Sequence, residues 1–155
     1  MGTIKWHRII KSDKSKIEDL IDYFENELEN SKKEVKAIGV IETIAKNLPY
    51  HYEERYSQLQ EIEAVLEVLD IELEELKSNK FRNYLEHYNR VLSSRDCNSF
   101  VDGEKEVVAL RGIINEVAYI RNRYLGLLKS MEQLGYALGH IAKLRVAGIE
   151  NARLD

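Results

Sequence analysis

Two short stretches of this sequence combine residues able to bind a polyanion. Lys80-Phe81-Arg82-Asn83-Tyr84 and Tyr88-Asn89-Arg90 alternate cations with aromatic rings, and Lys77 lies just upstream. Lysine and arginine neutralise phosphates while aromatic faces stack bases, the usual chemistry of sequence-independent single-strand binding. On composition alone, a solvated basic helix face competes with that reading. The candidate nucleic-acid-binding residues are Lys77, Lys80, Arg82, Tyr84 and Arg90. Arg121, Arg123 and Lys129 form a second basic stretch, for which flanking a coiled-coil seam is the ordinary role.

Covalent and metal chemistry find little footing. The chain has no P-loop, no dinucleotide glycine pattern, no HExxH and no cysteine pair. His7, His51, His87 and His140 are scattered, and no two share a helical i, i+4 face, so a zinc site would need long-range assembly. Cys97 is the sole cysteine, which excludes an intramolecular disulfide and fits a reducing compartment. Acidic side chains fall on solvated helix faces. The expectation is a non-enzymatic protein with no cofactor and no metal.

The elements that must position the basic residues are helical. Eight glycines, one proline and abundant Leu, Ile, Glu, Lys and Ala favour helix over sheet. A length of 155 residues suits one domain, taken as 1–155. No apolar run approaches the roughly 18 residues that cross a membrane, and the basic start lacks an apolar signal region. These features place the protein in the cytoplasm, the host cytoplasm if it is phage-encoded, with no membrane partner.

Charge is strongly segregated. Residues 18–76 hold seventeen acidic and five basic side chains, whereas 1–17, 77–95 and 121–145 each hold five basic and one acidic. Residues 1–14 read as a basic N-terminal arm, with Lys5, Trp6, Arg8 and Lys11 able to supplement a polyanion surface.

Residues 15–92 read as a helical hairpin. Its first helix starts with a capping box, Ser15-Lys-Ile-Glu18, and ends near Asn47. Leu48-Pro49 breaks it. The second helix carries Leu59, Ile62, Leu66, Leu69, Leu73 and Leu76 at spacings of three and four. Residues 93–101 read as a loop, and 102–147 as one long oligomerisation helix. The seam of that helix, from Leu110 through Ile113, Val117, Ile120, Tyr124, Leu127, Met131, Leu134 and Leu138 to Ile141, is regular throughout. About 44 residues extend roughly 66 Å, more than a compact domain of this mass spans. The fold class is therefore all-α: long antiparallel helices with coiled-coil-like seams, assembling through the C-terminal helix into a homo-oligomer. Leu127, Met131, Leu134, Gly135, Leu138, Gly139 and Ile141 are the expected interface, with Gly135 and Gly139 letting a neighbouring helix approach. His140 reads as a packing or interface residue.

The stretch Gly135-Tyr136-Ala137-Leu138-Gly139-His140-Ile141-Ala142-Lys143-Leu144-Arg145 resembles the phage UvsY recombination mediator family. It is similar to that family's run of glycine, aromatic, alanine, aliphatic, any residue, His-Ile, two variable positions, then Leu or Met and Arg. The similarity extends back to Glu104-Lys105-Glu106-Val107 and covers about a third of the chain. It implies a ring-like homo-oligomer that binds single-stranded DNA. It also implies contact with a RecA-like recombinase and a single-strand DNA-binding protein, the recombinase being loaded onto strands the binding protein already coats. Such a protein serves phage recombination, replication and repair. Lys80-Phe81-Arg82 with Tyr84 matches the Lys-x-Arg pair that the family links to DNA binding. The region before Lys77 is more acidic than the family pattern. That leaves a helical protein-interaction adaptor, such as a phage inhibitor of a host protein that never touches DNA, as the alternative. A structural coiled-coil virion component is a weaker third.

Overall fold

A computed structural model describes residues 4–148, so residues 1–3 of the basic arm and residues 149–155 lie outside the described residues. Five α-helices and no strand occur among these residues: α1 Trp6–Ser12, α2 Ile17–Ser31, α3 Ile41–His87, α4 Ser94–Asp102 and α5 Lys105–Val146. Short 3₁₀ turns, Lys14–Lys16 and Lys32–Glu34, flank α2.

The frame is an antiparallel pairing of α3 and α5. Cross-contacts run in inverse order: Tyr52 to Glu132, Gln58 to Tyr124, Lys80 to Glu106, Tyr84 to Glu104. With 47 residues and a rise of about 1.5 Å each, α3 spans roughly 70 Å. Its seam from Leu59 to Leu69 faces Val117, Ile120, Tyr124 and Leu127 of α5. α2 closes the middle of this hairpin, antiparallel to α3, by burying Ile17, Leu20, Phe24 and Leu28. α1 folds back over it with Trp6 and Ile10 buried. Trp6 meets the rings of Tyr23 and Phe24, and Phe24 meets Tyr124 edge-on at 5.8 Å. The part of the arm that is described is thus part of the core, because Trp6 and Ile10 recur at helical spacing.

Several sequence expectations are corrected. The cap preceding α2 is Asp13, whose carboxylate accepts from the Ser15 amide at 3.0 Å and the Ser15 hydroxyl at 2.6 Å; Ser15 is no N-cap. The first long helix does not continue to Asn47. It stops at Ser31, and the chain turns between Val35 and Val40, where Gly39 takes φ +118°, a backbone region that L side chains rarely enter. Leu48-Pro49 is not a break, since Pro49 lies inside α3, on an exposed surface. Tolerating it costs the hydrogen bond to the Ala45 carbonyl. Leu48 compensates by packing on the core and over Gly135 of α5, and Ile41 and Ile44 are half-buried on the same helix. Residues 94–102 form helix rather than loop: Ser93 caps it by accepting from the Asp96 amide, and Cys97 and Val101, one turn apart, are fully buried.

Extension of α3 back to Ile41 changes the reading of the C-terminal helix. Leu127, Met131, Leu134, Leu138 and Ile141 are all buried within the single chain. Their burial therefore needs no second subunit. Gly135 lies under Leu48, whose Cδ2 would stand 3.5 Å from an added Cβ. Gly139 and His140 are exposed, and an added Cβ on Gly139 meets nothing within 4 Å.

Candidate nucleic-acid interface

The basic and aromatic residues gather at the end of the hairpin where α3 finishes and α4 leads into α5. Tyr84 sits on the face of α3 toward α4, and its ring stacks on Phe100 with centroids 5.5 Å apart and planes 22° apart. Tyr88, one turn on, reaches the same ring at 5.9 Å. Phe100 and Tyr88 remain 43% and 44% exposed, enough for an additional aromatic plane to reach them. The Tyr84 hydroxyl donates to Glu104 Oε1 at 2.5 Å, which raises its phenol above the ordinary range.

The expected cations divide into two groups. Lys80 Nζ lies 3.4 Å from Glu106, and Lys77 Nζ lies 3.7 Å from Asp102, which also accepts from Arg111 at 2.8 Å. Both lysines face α4–α5 carboxylates and are partly screened by them. Arg82 and Arg90 are exposed and enter no ion pair among the described residues. Lys80 and Arg82, adjacent in the motif, point about 200° apart around the helix. Lys80 shares a shallow cleft with Tyr84, His87, Tyr88 and Glu104, whereas Arg82 borders another with Phe81, Leu85, Asn98 and Val101. The structure therefore brings Lys80 and Tyr84 together and sets Arg82 apart from them.

Sequence reasoning missed three members of this end. Phe100 completes the aromatic set, His87 shares the cleft of Tyr84 and Tyr88, and Arg95 is exposed in the first turn of α4. Reading 93–101 as a loop hid Phe100 and Arg95, whereas His87 lay within the hairpin and was considered only as a metal ligand. The signal was present, since Ser93 with Asp96 three residues later is a helix start.

A second polar centre, absent from the sequence reading, lies in the middle of the bundle. Arg55 is only 4% exposed. Its Nε and Nη2 donate to the two oxygens of Glu34 at 3.0 and 2.6 Å, and Nη1 donates to Glu27 at 2.6 Å and Gln58 at 3.0 Å. Gln58 donates in turn to Glu27, and the buried Tyr124 hydroxyl donates to Gln58 at 2.8 Å. Burial works against the Arg55 charge, but the hydrogen bonds it donates to Glu34 and Glu27 outweigh it and hold the guanidinium more firmly protonated than usual. Burial pushes the Tyr124 phenol well above its ordinary value.

No family model, curated protein or solved structure matches this chain.

Proposed function

We propose that this protein binds single-stranded DNA through the α3–α4 end of its hairpin and acts as a non-enzymatic recombination mediator. The observation that carries the reading is the Tyr84–Phe100–Tyr88 aromatic set at a hairpin end that also holds Arg90 and Arg95 and, on another face of α3, Arg82, all exposed cations with no ion pair among the described residues. Bases stack on the open faces of Phe100 and Tyr88 while the arginines take phosphates. Lys80 and Lys77 contribute less than their position in the motif implied, because Glu106 and Asp102 already hold them. One such end binds weakly, so stable wrapping of a strand requires several copies acting together. The copies meet through the outer face of α5, where Val108, Tyr119, Leu125 and Tyr136 are exposed and Gly112 and Gly126 leave open space. The assembled protein displaces a resident single-strand DNA-binding protein and gives a RecA-like recombinase its foothold.

Fluorescence anisotropy of a labelled oligothymidylate, titrated at several salt concentrations, tests this reading. Arg82→Ala with Arg90→Ala and Arg95→Ala is expected to lower the log–log salt slope by about 2, since each phosphate contact contributes roughly 0.7 on a single strand. An unchanged slope rules these residues out, and no binding at low salt rules out the function.

A second reading rests on a different surface. Glu63, Glu67, Asp70, Glu74 and Glu75 line an open groove along α3, beside the exposed Ile71. Such a groove fits a basic amphipathic helix of a protein partner, the chemistry of an adaptor or of an inhibitor that occupies a host protein. That reading gains if the oligonucleotide fails to bind.

A further inference from the structure

Where the turn after α2 meets α3, three side chains converge: Glu34 from the turn, and His51 and Glu54 from α3. One donor atom of each lies within 4.8 Å of the other two. His51 Nδ1 is buried and has no hydrogen-bond partner among the described residues. It faces Glu34 Oε1 at 3.7 Å. That separation is too long for a hydrogen bond. It is close to the edge of a coordination tetrahedron, where two bonds of about 2.1 Å set their donor atoms about 3.4 Å apart. Glu34 is itself held in place, its two oxygens fixed by the Arg55 fork as a supporting partner fixes a metal-binding carboxylate. His51 and Glu54 are three residues apart and share one face of α3.

We propose that Glu34, His51 and Glu54 form a site for one divalent transition-metal ion of the zinc class, its remaining position taken by water. The donor set is one imidazole and two carboxylates. The nitrogen selects against calcium and magnesium, which prefer all-oxygen shells. The surrounding charge accepts a cation, because Glu27 and Glu34 share a single guanidinium, that of Arg55, and Glu54 adds a third carboxylate. The bound ion ties the turn after α2 to α3 across the connection that contains Gly39. Sequence inspection for paired histidines passed over this site, because its other ligands are carboxylates and one comes from a different element.

Full-length protein stripped with a chelator is titrated with Zn²⁺ by calorimetry and with Co²⁺ by visible absorption. One equivalent per chain is expected, with the intense d–d bands of a low-coordinate Co²⁺ ion. His51→Gln and Glu54→Gln should each weaken binding at least about tenfold, the lower range for perturbing a metal site. His87→Ala with His140→Ala should leave it unchanged. Glu54 takes no part in the hydrogen bonds that hold Arg55, so Glu54→Gln tests the site without disturbing that network. Helical content by circular dichroism confirms the fold of each variant. Binding that survives both ligand substitutions, or that disappears with the exposed histidines, overturns the proposal. So does the absence of stoichiometric binding at micromolar metal.

Discussion

Arg55→Ala tests the polar centre of the bundle most directly. It removes the donor that satisfies both oxygens of Glu34 and one oxygen of Glu27. The two acceptors fare differently. The Glu27 side chain is 25% exposed and still accepts from Gln58, so water and that amide replace part of the loss. The Glu34 side chain is only 8% exposed and loses both of its guanidinium bonds. Breaking a buried ion pair from one side costs roughly 3–5 kcal/mol, and the partial exposure of Glu27 places this case near 3. With a urea slope of about 1–3 kcal/mol per molar, the unfolding midpoint should fall by roughly 1–3 M. A second variant separates orphaned carboxylates from lost attraction. Arg55→Met with Glu34→Leu and Glu27→Gln removes the ions together and keeps an acceptor for Gln58. Its stability should return to within about 1 kcal/mol of the parent, as replaced buried ion pairs often do. The reasoning fails if Arg55→Ala costs under about 1 kcal/mol, or if the triple variant is as unstable as the single one.

Other expectations follow from named contacts. Glu61 is 7% exposed and accepts from His7 at 2.8 Å and Lys5 at 3.5 Å. Burial pushes its carboxyl up, but the His7 hydrogen bond and the nearby charges hold it below the ordinary 4.5. A depressed carboxylate stabilises the fold above its unfolded pKa and loses that contribution as pH falls through the folded value. Denaturation of the parent and Glu61→Gln should therefore converge as pH drops below about 4.5, and a gap that is constant in pH would contradict the contact. Pro49→Ala restores an amide donor within α3 and should raise stability by roughly 1–3 kcal/mol in the same assay. No change would mean that the two turns before Pro49 contribute little. Gly126→Ala should stabilise the single chain by about 0.5–1 kcal/mol, since an added Cβ meets nothing within 4 Å. Light scattering on the same variant then reports on the outer face of α5: a drop in assembled mass supports association there, and an unchanged mass argues against it.

The seams of α3 and α5 were legible because apolar residues recur every three or four positions without interruption. The class of fold and the antiparallel pairing follow from that pattern and from the turns. The apolar residues assigned to a subunit interface are already buried within one chain, for a specific reason. Proline rules started the second helix at Pro49 rather than at Ile41, and so left out the turns of α3 that bring Leu48 over Gly135. Gly39, which falls inside the first helix of that reading, is instead in the turn. The burial of Arg55, Gln58 and Glu61 was invisible, since charged residues between leucines read equally well as solvated. At the basic end, linear adjacency misled in the opposite direction. Lys80 and Arg82 form one motif on paper and two faces on a helix.

The inverse register of α3 and α5 also biases the order in which the chain assembles. The pair Tyr84–Glu104 closes a loop of 20 residues, whereas Tyr52–Glu132 closes one of 80. Loop-closure entropy makes the longer closure about 1.2 kcal/mol more costly when each forms alone. Once the first pair has formed, every further turn adds only a short step. The hairpin thus closes like a zipper from the aromatic end toward Pro49, and the α4 corner is its slider. Substitutions at Tyr84 or Phe100 then weigh on the folding rate, while those near Leu48 weigh on how fast the closed chain reopens.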